Sequence, residues 1–147
     1  MPIAFRPFQA ADMTVVGVWF GDADTARWVE PPNEAWVAHV TGGTRARAWI
    51  ASRDGGDVGL VQADWDADRT AFVSLVVDPA QRGRGIGRAV QHAWLATLGR
   101  DFARVEGRIE PANVAAVRCA LHSGFTLTSA TPDEDGFLRL TFTPQPD

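Results

Sequence analysis

"LVVDPAQRGRGIGRAV", residues 75–90, joins an apolar run to Gly83, Gly85 and Gly87, which are set among arginines. The run before it, "TAFVSLVVD" (70–78), is rich in β-formers and alternates little, which predicts a strand covered on both faces. Pro79 stops that strand, because its ring fixes φ and removes an amide hydrogen. The segment after it, "RAVQHAWLATLG" (88–99), puts Val90, Trp94 and Leu98 on one face. That spacing predicts an amphipathic helix with Gly99 at its C-cap. A strand, a glycine loop and a helix in that order can hold an anion. The glycines let the backbone turn its amides inward, and the helix start adds unpaired amides and a positive dipole end. Such a site suits a pyrophosphate, with Arg82, Arg84 and Arg88 available to pair with it.

The chain around this loop has 147 residues, which predicts one domain over 1–147. Hydrophobic residues make up 46% and charged residues 22%, enough for an ordinary buried core. The 14 basic residues, all arginine, stand against 18 acidic ones, for a net charge of -4. That balance argues against nucleic acid or an anionic membrane as a partner. The single cysteine, Cys119, excludes a disulfide framework and a multi-cysteine zinc site. His39, His92 and His122 are scattered without ligand spacing, so no metal is expected. No apolar run approaches the ~18 residues of a membrane span, and no leader pattern opens the chain, so a cytoplasmic protein is expected.

Outward from the loop, "IAFRPF" (3–8) reads as an edge strand because of Pro7. Residues 10–20 fit a helix with Met13, Val16 and Phe20 on one side. Residues 21–32 are acidic and rich in turn formers. Asn33 caps a helix over 34–40. "ARAWIAS", centred on 48–52, and "VGLVQADW" (58–65) flank an Asp-Gly hairpin signal. "RVEGRIE" (104–110) alternates, with Val105, Gly107 and Ile109 on one side and Glu106, Arg108 and Glu110 on the other. Asn113 caps a helix that ends at Gly124, and 125–130 with 137–143 form a closing hairpin. The order is a β-meander, then helix, strand, helix and two strands, which is a mixed α/β sheet with a crossover in its second half.

Three nucleotide-binding patterns compete for the loop. A Walker A loop needs Gly-Lys-Ser/Thr, and the chain has no lysine. A dinucleotide G-x-G-x-x-G started at Gly83 would end on Arg88. Arg82-x-x-Gly85-x-Gly87, however, resembles the (Q/R)-x-x-G-x-(G/A) signature of the GCN5-related N-acetyltransferases, the GNAT superfamily. The resemblance runs from about residue 47 to 143 and includes "IEPANVAAVRCALHSGF", which is similar to the family's second signature. "FRPFQAADM" and "ARWVEPP" are similar to the branch of ribosomal-protein N-acetyltransferases and aminoglycoside 6'-N-acetyltransferases. The resemblance implies an α/β (α+β) fold: a mixed, mostly antiparallel central sheet, helices on both faces, and a strand splay at the cofactor site. It implies acetyl-CoA as cosubstrate and direct transfer to a primary amine of a small molecule or a peptide N-terminus. A homodimer is compatible with it. Arg82, Gly83, Arg84, Gly85, Ile86, Gly87 and Arg88 would hold the pyrophosphate. Leu75, Val76 and Val77 would offer backbone groups to the pantetheine arm, and Asn113 would bond the cofactor where the strands part. Gly124-Phe125 would turn the chain into the next strand.

The catalytic pattern departs from the family. Many members protonate the leaving thiolate from a tyrosine seven residues after the asparagine, but here that position is Ala120 and the chain has no tyrosine. Water, Cys119 or Ser123 remain as sources. Some relatives place a glutamate base five residues before the asparagine, where this chain has Arg108. Glu106 and Glu110 share that face and are the candidate bases, Glu110 being nearer the expected splay; the plainer reading is that they are solvated or paired with Arg108. Ser74, polar in an apolar strand, is a candidate for positioning a water. In the branch named above, the segment "GDADTARWVEPPNEAW" walls the acceptor cleft. Its Asp22, Asp24, Glu30 and Glu34, with Trp28 and Trp36 and the hairpin's Asp64 and Asp66, would suit a cationic amine with some apolar body. Trp28, Glu30 and Asp64 are the expected acceptor contacts. A non-catalytic acyl-CoA-binding module is the alternative reading, motivated by the missing tyrosine. A protein-interaction domain, motivated by six tryptophans, is a weaker third.

Overall fold

In the computed structural model, which describes residues 2–146, Asp54 and Gly55 take left-handed φ values of 54° and 81°. That is the geometry a two-residue hairpin demands, and it joins β2 (Ala46–Arg53) to β3 (Gly56–Trp65). Asp66 makes the next turn by accepting the amides of Asp68 and Thr70 at 2.9 and 3.0 Å, which starts β4 (Thr70–Val77). β1 (Ala4–Pro7) lies on the outer edge of β2, where Pro7 is tolerated. After the glycine loop come α4 (Ile86–Ala96), β5 (Arg104–Ile109), α5 (Val114–Ser123), β6 (Thr126–Leu127) and β7 (Leu138–Phe142). Among the described residues these strands form one sheet in the order β1-β2-β3-β4-β5-β7-β6. Only the β4–β5 pair is parallel.

Side-chain alternation sorts the two cores. Ala71, Val73, Leu75 and Val77 of β4 face α4 and α5, packing toward Val90, Trp94 and Ala120. Leu60 of β3 and Val76 of β4 face the other way, toward Val16 and Trp19 of α1 (Met13–Trp19) and Val40 of α3 (Glu34–Gly42). Helices therefore cover both faces. β4 is not covered along its whole length, however: Phe72 is 39% exposed and Ser74 is exposed, because the α1–α3 layer stops short of them. The apolar run reports a cleft wall there.

Two local readings are corrected. Residues 21–32 are not all turn: α2 (Ala23–Trp28) forms because the Asp22 carboxylate accepts the Thr25 amide at 3.0 Å. Gly99 is not the C-cap of α4. The helix closes at Thr97, and Gly99 lies in a following 3-10 turn pressed on Trp94, where an added Cβ would meet the indole ring at 3.2 Å. Trp94 is 1% exposed, stacked at 6.1 Å on Phe102 and edge-on to Trp49 at 5.7 Å.

β4 and β5 pair at only three positions, Thr70 with Arg104, Ala71 with Val105 and Phe72 with Glu106. Beyond them β5 continues to Ile109 on β7 alone. Among the described residues, the β5-facing peptide groups of residues 73–77 therefore have no strand partner. Trp94 is the bulk on which the helical side of this splayed sheet rests. Trp94→Ala is expected to cost about 3–5 kcal/mol in urea unfolding; a loss under about 1 kcal/mol would remove Trp94 from that role.

Candidate active site

The gap between β4 and β5 opens into a cavity of about 500 Å³. Leu75 and Val77 line it from β4, Gly107 and Ile109 from β5, and Ala116 and Ala120 from α5. Trp28 and Glu30 close it from above. A second groove of about 430 Å³ shares Trp28, Leu75, Val77 and Asn113 with the first and reaches Arg82 and Thr25. The two adjoin, so a trough runs from the glycine loop to Glu110.

At the loop end, Gly83 and Gly85 have φ values of 76° and 72°, and no atom lies within 4 Å of where a Cβ would stand on either. Gly85 is the N-cap of α4 and no side chain caps it, so the first-turn amides stay open to a ligand. Gly87 packs inward, with Val77 Cγ2 at 3.4 Å and Cys119 Sγ at 3.5 Å from its Cβ position. Ile86 is buried, so only its backbone faces the loop. Among the described residues Arg84 and Arg88 have no ion-pair partner. Open amides and two unpaired cations match a diphosphate. The strip beyond, apolar with an unpaired β4 edge, matches an extended amide-bearing arm. These residues fit an acyl-coenzyme A. Asn113 serves its own helix too, its Oδ1 accepting the Ala116 amide at 3.3 Å while the residue lines both cavities.

Arg82 departs from expectation. Its guanidinium donates to Asp22 at 2.5 Å and to the Thr25 hydroxyl at 2.9 Å, so it clasps α2 instead of standing free at the phosphate rim. Asp22 lines none of the cavities. The Arg82 guanidinium, and then the Thr25 amide, hold its carboxyl down to about 2.

At the other end, Ser74, Glu30 and Glu110 line the main cavity and all three are exposed to it. Half-buried Trp28 lines both cavities, with the Arg27 guanidinium 4.2 Å over its ring. Glu106 is not brought there: it is paired with Arg104 at 3.0 Å and stands opposite Thr141 of β7. Asp64 lines none of these cavities; it accepts from Gln62 at 2.8 Å and is bonded to His39. Arg108 pairs with neither glutamate. It binds Asp133 and Asp135 at 3.0 Å each and lies over Phe137, which pins the 128–137 loop as a cavity wall. The Phe137 amide, then Arg108, lower the Asp133 pKa. Ala120 is buried at the position of the family's tyrosine. Cys119 lines the cavity beside Gln91 at 3.5 Å, and burial raises its pKa, so it stays a thiol. Ser123 is buried and donates to the Cys119 carbonyl at 2.6 Å, away from the cavity. Among the described residues no cluster of three His, Cys, Asp or Glu could hold a metal, and no helix is long and apolar enough to cross a membrane. Gln62 and Phe137 escaped the sequence. Gln62 had a signal, as a polar residue on the inward side of β3; Phe137 had none.

The Asp22–Arg82 tie gives a signed pH effect. A carboxyl depressed from 3.8 to about 2 in the folded state stabilises fully above about 4, and that contribution is lost as pH falls toward 2. In urea unfolding, Asp22→Asn is expected to fall below wild type at pH 6 and to converge with it near pH 2. A gap that persists at pH 2 would place the effect elsewhere.

Residues 3–126 match the family model described as "Acetyltransferase (GNAT) domain". The chain is 28% identical over 141 residues to YfmK, an uncharacterized N-acetyltransferase of Bacillus subtilis, covering 92% of this chain and 93% of that protein. It is 33% identical over 128 residues to the mycothiol acetyltransferase of Beutenbergia cavernae, covering 84% of this chain but only 37% of that longer protein. In structure it is similar to AAC(6')-Ib in complex with paromomycin and acetyl-CoA, with a TM-score of 0.83 at 18% identity over 97% of this chain and 94% of that one. The spermidine N-acetyltransferase of Vibrio cholerae, in complex with CoA and spermine, gives 0.79 at 16% identity over 96% and 95%. At such identities the structural likenesses carry the fold, and the family match carries the rest: this chain belongs to the GNAT family and is an acetyl-CoA-dependent N-acetyltransferase.

Proposed function

We propose that residues 1–147 act as one cytoplasmic N-acetyltransferase unit, in which the trough binds the cosubstrate and Glu110 serves the incoming amine. The observation that carries this reading is the unpaired β4 edge beyond Phe72, with open helix amides at one end and free carboxylates at the other. The loop amides from Gly83 to Arg88, with Arg84 and Arg88, take the diphosphate. Backbone groups of Leu75 to Val77 and the Asn113 amide orient the arm. Acetyl-CoA, when bound, supplies a thioester that an amine can attack.

Glu30 and Trp28 draw in an ammonium, by charge and by the ring's negative face. Arg108 does not oppose this, since Asp133 and Asp135 neutralise it. Glu110 takes the amine's proton, directly or through a water held by Ser74. The N–C bond forms as the C–S bond breaks, and the thiolate leaves to take its proton from water. Cys119 is not an acetyl carrier: burial keeps it protonated, and no base stands beside it. Transfer is therefore direct.

Two measurements test these assignments. Gly85→Val forces a β-branched residue to φ 72° and sets its side chain before the amides. Coenzyme A affinity by calorimetry is expected to fall at least tenfold, and an unchanged affinity would move the site elsewhere. In an assay of thiol release from acetyl-CoA with a panel of primary amines, Cys119→Ala is expected to keep most of the rate. Glu110→Gln is expected to lose on the order of 100-fold in kcat, the contribution of a positioned base. No release with any amine would leave binding alone as the function.

A further inference from the structure

Beside Ser74 a side pocket of about 220 Å³ leads off the main cavity. Its floor is two registered pairs of β3 and β4, Leu60 with Val76 and Gln62 with Ser74. Phe20, Trp36 and Pro32 form its walls, and it shares Val29, Glu30 and Ser74 with the main cavity. The pocket is thus a branch of the reaction site where the carboxylates stand. Glu30 at the junction is the one charged residue lining it.

Gln62 is locked by its neighbours. Trp36 Nε1 can only donate and a carboxylate of Asp64 can only accept. The amide oxygen therefore faces Trp36 at 2.8 Å and the nitrogen faces Asp64 at 2.8 Å. His39 holds Asp64 in turn. The second N–H of Gln62 has no partner among the described residues. The pocket so offers aromatic and aliphatic walls, two spare donors on the floor in the Gln62 N–H and the Ser74 hydroxyl, and a carboxylate where it meets the cavity. About 220 Å³ is room for roughly seven water-sized groups.

We propose that this pocket selects the acceptor, and that the acceptor is an α-amino amide with a compact aliphatic side chain. This rests on the N-acetyltransferase reading above. The ammonium meets Glu30, the side chain fills the space between Phe20, Leu60 and Trp36, and the amide carbonyl accepts from Gln62. A polyamine would bury a second cation among those apolar walls with no partner, and it carries no oxygen for Gln62. The same chemistry occurs in a free amino-acid amide and in a peptide N-terminus.

The test measures thiol release from acetyl-CoA by wild type with glycinamide, alaninamide, leucinamide, 3-methylbutylamine and spermidine. Each buried methylene is expected to raise kcat/KM about 4-fold, so leucinamide should exceed glycinamide by on the order of 100-fold. 3-Methylbutylamine, which has the branch but not the carbonyl, should fall about tenfold below leucinamide. Gln62→Leu should erase that difference and leave coenzyme A affinity unchanged. A leucine-led tripeptide distinguishes the sources: a faster rate than leucinamide assigns a chain N-terminus, a slower one a free amide, and both support the pocket. A flat series, or spermidine as the best acceptor, overturns this inference and leaves the acetyltransferase standing. No release with any amine removes the reading beneath it. The wild-type series decides the matter even where Gln62→Leu does not fold.

Discussion

β4 and β5 share three residue pairs and then part, and the candidate site opens in that gap. The two strands are parallel because α4 carries the chain across one face between them. A parallel pair buried on both sides would normally run its full length, since unpaired peptide groups in a sheet interior are costly. Here β5 keeps β7 as its other partner as far as Ile109, so it can leave β4 without becoming an edge on both sides. α5 begins at the mouth of the gap, with Asn113 on its rim. A long arm bearing its own amides can bond the exposed strand where protein does not.

Two arginine ties hold the walls of this opening from opposite sides. Arg82 joins the loop before α4 to Asp22 and Thr25, and so hangs α2 and Trp28 over the trough. Arg108 joins β5 to Asp133 and Asp135 and holds Phe137 against the far side. Each tie is exposed, and such pairs contribute little stability by themselves. Their effect is on position and on field. By occupying Arg82 and Arg108 they leave Glu30 and Glu110 in the main cavity, and Arg84 and Arg88 at the glycine loop, without an ion-pair partner among the described residues. The carboxylates therefore stand inside the main cavity, while Arg84 and Arg88 flank the glycine loop beside the other end.

The sheet, its crossover and the glycine loop were legible because each rests on local chemistry. Asp54-Gly55 fixes a hairpin, Pro79 stops a strand, and Asn33 and Asn113 cap helices with their own side chains. Alternation alone also put Val105 in the core. What only the structure supplies depends on partners distant in sequence. Arg82 reads as a phosphate ligand until α2, sixty residues earlier, supplies Asp22. Glu106 and Glu110 are equivalent by alternation; the preference for Glu110 comes from the expected splay, and β5 does leave β4 between them, so that Glu106 stays in the paired sheet and Glu110 reaches the cavity. Asp64 reads as a free carboxylate until α3 brings His39 to it. Gly99 reads as a cap because a helix end and a tight contact with an indole call for the same small residue.

The absent tyrosine has a structural counterpart. Its position on α5 holds Ala120, which is packed to 2% exposure in the core with Phe125 and Leu140. Ala120 also lines the main cavity, so the missing phenol leaves open space in the trough. The neighbouring thiol, Cys119, is buried enough to stay protonated, and Ser123 is bonded into the helix. Solvent, which the open trough admits, and the Cys119 thiol at the cavity wall are then the proton sources for the leaving sulfur. An acid is needed least where the leaving group is already stable as an anion, as a thiolate is compared with an alkoxide. The demanding step is then the deprotonation of the amine. On the reading proposed above, that step falls to the end of the trough where Glu30, Glu110, the exposed Ser74 and the side pocket are gathered.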